Sequence, residues 1–457
     1  MQMRMNTLNR SLTIAAVLLS PVLPLRAQTA PTLTLPQAVS IAMEKNPVRK
    51  MAMADVKFAE AGATGARSAF LPRFDFSETA TLSNDPVYAF GSKLRQGRFT
   101  QADFSLDQLN HPDAMSNFSS RIGGQLNLFD SFATTYQLRR AKAMQQASEH
   151  QLTRADQELI YRVLDAYYGV LVAQKQVAVA EQTIKTAQTM VDDSTSRVEA
   201  GTTVEADALS AKVNLATRQQ DLIRARSGLE MARAQLETAL GVQLPPAQQP
   251  ADTLKEQVLP AAVLADTEAR ALKQRPDLQA IGSQLDAQQN SVKAAKAAFG
   301  PHLDVFGSWQ SDNSALFANG GNNWTTGAGL RIDLFPQAKR AQLSMEKAAL
   351  TRAQAAKQAA EDNIRLDVRR AYFEYDAARQ MLEVARATVA QSDESLRITH
   401  DRYDSGLVTI TDLLRTEDAA RASKTNYWNA VYRYAVSYAA MELASGDLTA
   451  QSPVVIQ

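Results

Sequence analysis

Two short segments hold the residues whose types and spacing say most about this chain. They read RVEAGTTVEADAL from Arg197 to Leu209 and RYDSGLVTITDLL from Arg402 to Leu414. Each sets a glycine, Gly201 or Gly406, where a left-handed residue closes a helix. A threonine follows, Thr203 or Thr409, where a hydroxyl caps the next helix. Asp412 falls in the first turn of that helix, where the dipole favours a carboxylate. A plain turn needs the glycine but not the flanking arginine, leucine and aspartate, so these segments read as recognition tips. Catalytic chemistry is not in view. The 4 histidines, His111, His150, His302 and His400, stand in unlike contexts without metal-ligand spacing. Neither a G-x-S-x-G elbow nor a P-loop occurs, and with no Cys there is no thiolate site. The chain is expected to be no enzyme and to hold no cofactor or metal.

The tips belong to an internal repeat. Pro47 recurs as Pro276, and Phe70-Leu71-Pro72-Arg73-Phe74-Asp75 as Phe299-Gly300-Pro301-His302-Leu303-Asp304. Leu128-Phe129-Asp130 matches Leu334-Phe335-Pro336, and Asp165-Ala166-Tyr167-Tyr168 matches Arg370-Ala371-Tyr372-Phe373. Arg197, Gly201, Asp207 and Gly241 match Arg402, Gly406, Asp412 and Gly446. So many matches in one order mean duplication. The copies span 28–241 and 261–446. Between them lies a Pro-rich linker, 242–260, whose prolines deny it helix and central strand. A tail, 447–457, follows. The first copy carries an extra polar, turn-rich loop near 86–118.

Each copy reads as helix, two strands, long helix, tip, return helix. An amphipathic first helix is expected over 36–69 and 261–298, ended by Pro72 and Pro301. Strands follow at about 73–83, 119–129, 302–311 and 324–335. Phe74, Phe76, Ala80 and Leu82 alternate with Asp75, Ser77, Thr79 and Thr81. Ile122, Leu126 and Leu128 alternate with Arg121, Gln125 and Asn127, and Leu303, Val305 and Trp309 with Asp304, Phe306 and Ser308. Leu330, Ile332 and Leu334 alternate with Arg331 and Asp333. Runs of about ten residues with one apolar and one polar face are the signature of a transmembrane β-barrel.

From 131 to 198 and from 337 to 404 there is no proline, which predicts helices roughly 100 Å long. Helices of that length need partners for their apolar stripes. The stripes are Leu159, Val163, Ala166, Val170 and Ala173, and Ile364, Val368, Ala371 and Tyr375. Return helices are expected over 203–240 and 408–445, with tips near 198–203 and 403–408.

The first residues resemble a secretory signal: Arg4 and Arg10, an apolar stretch from Leu12 to Leu25, and Ala27 at the expected cut. Without a cysteine at the cut, a lipid anchor is excluded. No later stretch is apolar for long enough to make a transmembrane helix. Interspersed charge and a net charge of +1 argue against nucleic acid as partner. Four strands cannot close a barrel, and open edges are not tolerated in lipid, so the chain must oligomerise. Two copies supply eight strands and three supply twelve.

At the tips the sequence resembles the TolC-like outer-membrane efflux family, and the order of repeat, strands and helices extends the resemblance over essentially the whole mature chain. The second tip fits that family's R-hydrophobic-x-x-G-L-x-x-x-x-D-hydrophobic-hydrophobic pattern. The resemblance implies a mainly α fold with transmembrane β. Three chains would form a 12-stranded β-barrel in the outer membrane above a 12-helix periplasmic α-barrel. It implies docking of the tips onto a periplasmic membrane fusion adaptor, joined to an inner-membrane pump of RND or ABC type, for efflux or type I secretion. By match the docking residues are Val198, Gly201 and Thr202 beside Arg197, and Tyr403, Gly406 and Leu407 beside Arg402. Thr202 stands where the family has leucine. The family narrows its periplasmic aperture with acidic residues after the second tip. Asp412 matches the first of these, but Arg415 stands one turn on, which departs from a simple acidic ring and leaves an Asp–Arg pair at i, i+3 as the alternative. Glu417 adds charge nearby. The rival reading is a periplasmic coiled-coil adaptor, which is also secreted and helical but has one hairpin and no alternating ten-residue strands.

Overall fold

A computed structural model describes residues 32–245, 248–316 and 318–456. The signal segment expected at 1–27 lies outside the described residues. Where one first helix is expected per copy, the structure has two. α1 (Leu35–Lys45) and α2 (Pro47–Ser68) part at Asn46, and α7 (Leu264–Gln274) and α8 (Pro276–Ala297) part at Arg275. The cause is the following proline, which drives its predecessor out of the helical region. Asn46 sits at ψ 129° and Arg275 at ψ 121°. The proline then opens the next helix, where its missing N–H costs nothing.

These breaks are where each copy is fastened. The return helices, α6 (Glu205–Leu240) and α10 (Ile410–Ser445), end on left-handed glycines, Gly241 at φ 74° and Gly446 at φ 83°. A Cβ on Gly241 would lie 2.8 Å from Asn46 Cα, and one on Gly446 3.0 Å from Arg275 Cα. Asn46 Nδ2 donates to the Ala239 carbonyl at 2.8 Å, and Arg275 reaches the Ala444 carbonyl at 3.4 Å. Arg275 is buried and also pairs with Asp277 at 2.6 Å. Burial pushes the Asp277 carboxyl up, but the Arg275 guanidinium outweighs it and holds that carboxyl below its ordinary value.

The strands β2 (Arg73–Ser83), β3 (Met115–Phe129), β5 (His302–Asn313) and β6 (Gly321–Arg331) form one antiparallel sheet in the order β2-β3-β5-β6. Phe76, Ile122, Trp309 and Trp324 lie directly opposite one another across all four strands. This row, with Phe74, Leu126, Val305 and Leu330, makes one apolar face. Asp75, Ser77, Gln125, Asp304, Ser308 and Thr325 share the other. Phe306 and Met115 are large apolar exceptions on the polar face, and the Phe306 ring covers Gly327. β6 stops at Arg331, so Ile332 and Leu334 lie beyond the strand expected to hold them.

The extra segment of the first copy is more ordered than its composition suggests. It folds as α3 (Pro86–Arg95), a 3-10 turn (Gln101–Phe104) and α4 (Leu106–Asn110), and β3 then starts at Met115. Asp85 caps α3 by accepting from the Tyr88 N–H at 2.7 Å.

The long helices are α5 (Ala133–Glu199, 67 residues) and α9 (Gln337–Asp404, 68 residues). Their expected stripes are buried, with Val163, Val170 and Val368 wholly so and Ala166 partly. The linker is not free of strand. β1 (Thr32–Leu33) pairs in parallel with β4 (Gln249–Pro250), an edge position that tolerates proline. Tyr167 Oη lies between both ends of this patch, 2.8 Å from the Leu33 carbonyl oxygen and 2.5 Å from a carboxylate oxygen of Asp252, with one proton to share between the two acceptors. The tail ends in α11 (Pro453–Ile456), with Val454 and Val455 buried.

Gly241→Ala is expected to destabilise more than Gly201→Ala. Both incur about 1–2 kcal/mol for a left-handed residue with a Cβ. Only the first also drives a Cβ into backbone, adding about 1–3 kcal/mol, because a Cβ on Gly201 meets open space. Thermal unfolding of the purified variants checks this; equal losses would refute the joint.

Candidate functional site

Both tips end in the same hydrogen-bonded closure. Gly201 (φ 72°) donates to the Val198 carbonyl and Thr202 to the Arg197 carbonyl, each at 2.9 Å. Gly406 (φ 71°) donates to Tyr403 and Leu407 to Arg402, each at 2.9 Å. This double bond satisfies carbonyls that a helix end leaves orphaned. Beyond it the tips diverge. Leu407 is 74% exposed at the apex of the second. Thr202, at the matching place, turns its hydroxyl back onto the Arg197 carbonyl at 3.0 Å. The exposed apolar group of the first tip is Val204, 63% exposed and two residues further on. Sequence matching misses Val204 because the match weighs only the leucine position.

Tyr403 is not a surface residue. It is buried with Met190, Val191, Ala211, Ile410 and Leu413 in a small core shared by the two hairpins. That core explains the tyrosine at this position: its ring packs inside, and burial pushes its hydroxyl up from the usual tyrosine range. Arg197 lies over that ring at 5.0 Å, pairs with Asp193 on its own helix and with Asp404 on α9, both at 2.8 Å. Arg197 therefore ties the two tips together. Val198 is half-buried, and Arg402 is exposed beside Leu407.

The residues expected at the aperture are placed apart. Asp412 closes a capping box, its Oδ2 accepting from the Thr409 hydroxyl at 2.8 Å and the Thr409 N–H at 3.3 Å. The Thr409 hydroxyl and N–H hold the Asp412 carboxyl below its ordinary value, with Arg415 adding a smaller effect. No Asp412–Arg415 ion pair forms among the described residues; the carboxylate of Asp412 is engaged by Thr409 instead. Nearby, a different arginine is fixed. Arg218 of α6 is buried and bonds Asp418 of α10 at 2.5 Å and Asp221 at 3.0 Å. Burial pushes the Glu417 carboxyl up beside it. Arg218 has no signal in the sequence, because the repeat places Ser423 at its counterpart.

A duplicated chain of paired long hairpins, joined to an open sheet with one apolar face, defines the class of outer-membrane channel subunits. The chain belongs to the outer membrane efflux protein family, whose model matches residues 38–242 and 269–447. It is 30% identical over 164 residues to the outer membrane protein OprJ of Pseudomonas aeruginosa, a match covering 35% of this chain and 34% of that one. It is 24% identical over 446 residues to the outer membrane efflux protein BepC of Brucella suis, covering 96% and 91%. The fold is that of the CmeC outer membrane channel of Campylobacter jejuni, at a TM-score of 0.77 and 18% identity over 97% of this chain and 96% of that one. Membership of a channel family sets aside the adaptor reading, and the family is not one of enzymes.

Arg218→Ala is expected to leave the barrel intact and loosen the lower hairpins. It removes the one buried group of the cluster, but Asp221 and Asp418 are partly exposed and keep Arg224 and Arg421, so the lost charged hydrogen bonds cost about 1.5–3 kcal/mol. Hydrogen exchange should rise across 205–225 and 410–425 and stay unchanged in the sheet. No local change would refute the tie.

Proposed function

We propose that this chain is one third of a passive export duct, a homotrimer whose tips dock onto a periplasmic adaptor that joins it to an inner-membrane pump. The observation that carries the docking half is Leu407. A large apolar side chain stands 74% exposed at the apex of a long hairpin, flanked by Gly406 and exposed Arg402. A lone exposed leucine is ordinary on a protein surface; what supports a contact with another protein is its place at the apex, beside the glycine and arginine of the tip pattern. Val204 gives the first tip a smaller contact of the same kind, with Thr202 as cap. Val198, Gly201 and Arg197 support the first contact and Tyr403 the second, from beneath.

The oligomer half follows from the sheet. Its edge strands, β2 and β6, have no further strand beside them among the described residues and its apolar face is exposed, so closure in lipid needs further copies. Three give twelve strands and a bore wide enough for solutes, where eight give one filled by side chains. Asp412 would stand around the axis three times and favour cations at the narrow end, while Arg197–Asp404 and Arg218–Asp418 keep each chain's hairpins side by side until they are pulled apart.

Cross-linking in detergent is expected to give a ladder ending at three, and a folded monodisperse monomer would sink the trimer. Gly406→Trp is expected to abolish export with normal trimer yield. The left-handed penalty of about 1–2 kcal/mol is too small to melt a large barrel, but the distorted apex misplaces Leu407. Normal export by a normal trimer would reject the docking role.

A further inference from the structure

The insert between β2 and β3 folds onto one identifiable side of the sheet. Strand register puts Asn117, Gln310, Asp312 and Asn323 on the polar face, away from Phe76, Ile122, Trp309 and Trp324. α3 lies against that polar face at the end far from the long helices. Gln96, which ends α3, is buried, and its Nε2 donates to Asn117 Oδ1 at 2.8 Å and to the carbonyls of Ser116 at 3.0 Å and Asn313 at 3.2 Å. Asn117 passes the chain of bonds on to Asp312 at 2.8 Å, and Gln310 donates to the same carboxylate at 3.0 Å. Asp312 is fully buried under this cover.

On the far side the end of α3 meets the β5–β6 turn. A Cβ on Gly321 would lie 1.8 Å from the Arg95 carbonyl oxygen, so only glycine permits this approach. The insert is also braced within itself. Phe99 meets the rings of Phe90 and Phe104 edge to face at 4.7 and 5.1 Å, and Lys93 pairs with Asp103 at 2.8 Å. None of this is needed to join two strands, because the second copy makes the same connection between Asn313 and Gly321. A buried polar network with its partners satisfied holds one arrangement, and losing a member strands the rest.

In a closed barrel the polar face lines the bore. We infer that the insert is an inward-folded lid, one per protomer, that narrows the outer mouth and sets the upper size limit for solutes entering from outside. The inference rests on the reading of the chain as an oligomeric barrel in the outer membrane. Its residues are Gln96, Asn117 and Asp312 as the latch, and α3 as the obstruction. The exposed side of α3, with Val87 and Leu94, faces away from the wall.

The chain has no cysteine, so single cysteines report cleanly. Thr325→Cys lies on the polar face inward of the latch, and Val87→Cys on the outer side of α3. Intact cells would be labelled with a small charged maleimide and with a maleimide joined to a short dextran. Val87→Cys is expected to take both, and Thr325→Cys only the small one. Replacing 86–112 by a short turn should let Thr325→Cys take the dextran reagent as fast as Val87→Cys does. Should that trimmed chain fail to assemble, Gln96→Ala with Thr325→Cys decides, and it is expected to gain dextran labelling with a normal trimer. Equal dextran labelling of Thr325→Cys with and without the latch overturns the lid. Failure of Val87→Cys to label with either reagent overturns the outer-membrane reading, and the lid with it.

Discussion

Everything in each copy hangs from one close contact, a left-handed glycine pressed against the residue before a proline. Gly241 meets Asn46 and Gly446 meets Arg275 at backbone distance. The contact does three jobs. It stops the return helix, positions the break in the first helix, and fixes the hairpin relative to the strand that follows α2 or α8. Long helices gain little from propensity alone and depend on packing along their length. A fixed joint at the middle of the molecule sets the register of that packing in both directions. The surrounding side chains complete the cover: Gln157 of α5 donates to the Gly446 carbonyl at 2.7 Å and Arg154 to that of Leu443 at 3.0 Å. Helix-end carbonyls that would otherwise be buried without partners are thereby satisfied.

The two copies meet this constraint with different chemistry. Asn46 is short and neutral, caps α2 by accepting from the Val48 N–H at 2.8 Å, and reaches α6 with its amide. Arg275 is long and charged, needs Asp277 and Asp367 to neutralise it, and offers no cap. The same divergence appears at the tips. Thr409 and Asp412 make a capping box at the start of α10, whereas α6 starts at Val204 without a side-chain cap. What duplication preserved is backbone geometry: glycine, proline and the break. Side chains were free to change wherever another group satisfied the same orphaned backbone atoms.

This division explains what was legible in the sequence. Features that backbone geometry demands leave a residue-type signature, so the repeat, the glycines and the Pro-free helices could be read directly. The alternation of the strands was equally plain, because one face meets lipid and the other water. The break at Asn46 and Arg275 is signalled only by Pro47 and Pro276, since the apolar periodicity runs across it. Tertiary ties leave no such trace. Arg218 finds Asp418 two hundred positions away, and Tyr403 looks like a surface tip residue until α5 and α10 are seen to enclose it. The fold of the insert was hidden for another reason. Its glycines and polar residues suit a loop, and only the sheet shows that Gln96 has Asn117 beneath it.

The distribution of stability along the molecule suits a duct. Around the middle, a continuous core from Leu33 to Val455 binds α1, α5, α7, α9 and α10 into one body. Towards the tips the core dwindles to six fully buried residues and a few partners. There the hairpins are joined mainly by ion pairs such as Arg197–Asp404, both partly exposed. Exposed pairs contribute about 0.2–1 kcal/mol each, whereas separating a packed helix stripe costs several. Forces applied to the chain therefore part the tips before they disturb the joint or the sheet. Under the proposed docking, a partner at Leu407 would need only the differential affinity to offset a few such pairs. A duct that opened at its tips while staying sealed in lipid at the other end would need this gradient, and here it is written in the spacing of apolar residues along α5 and α9.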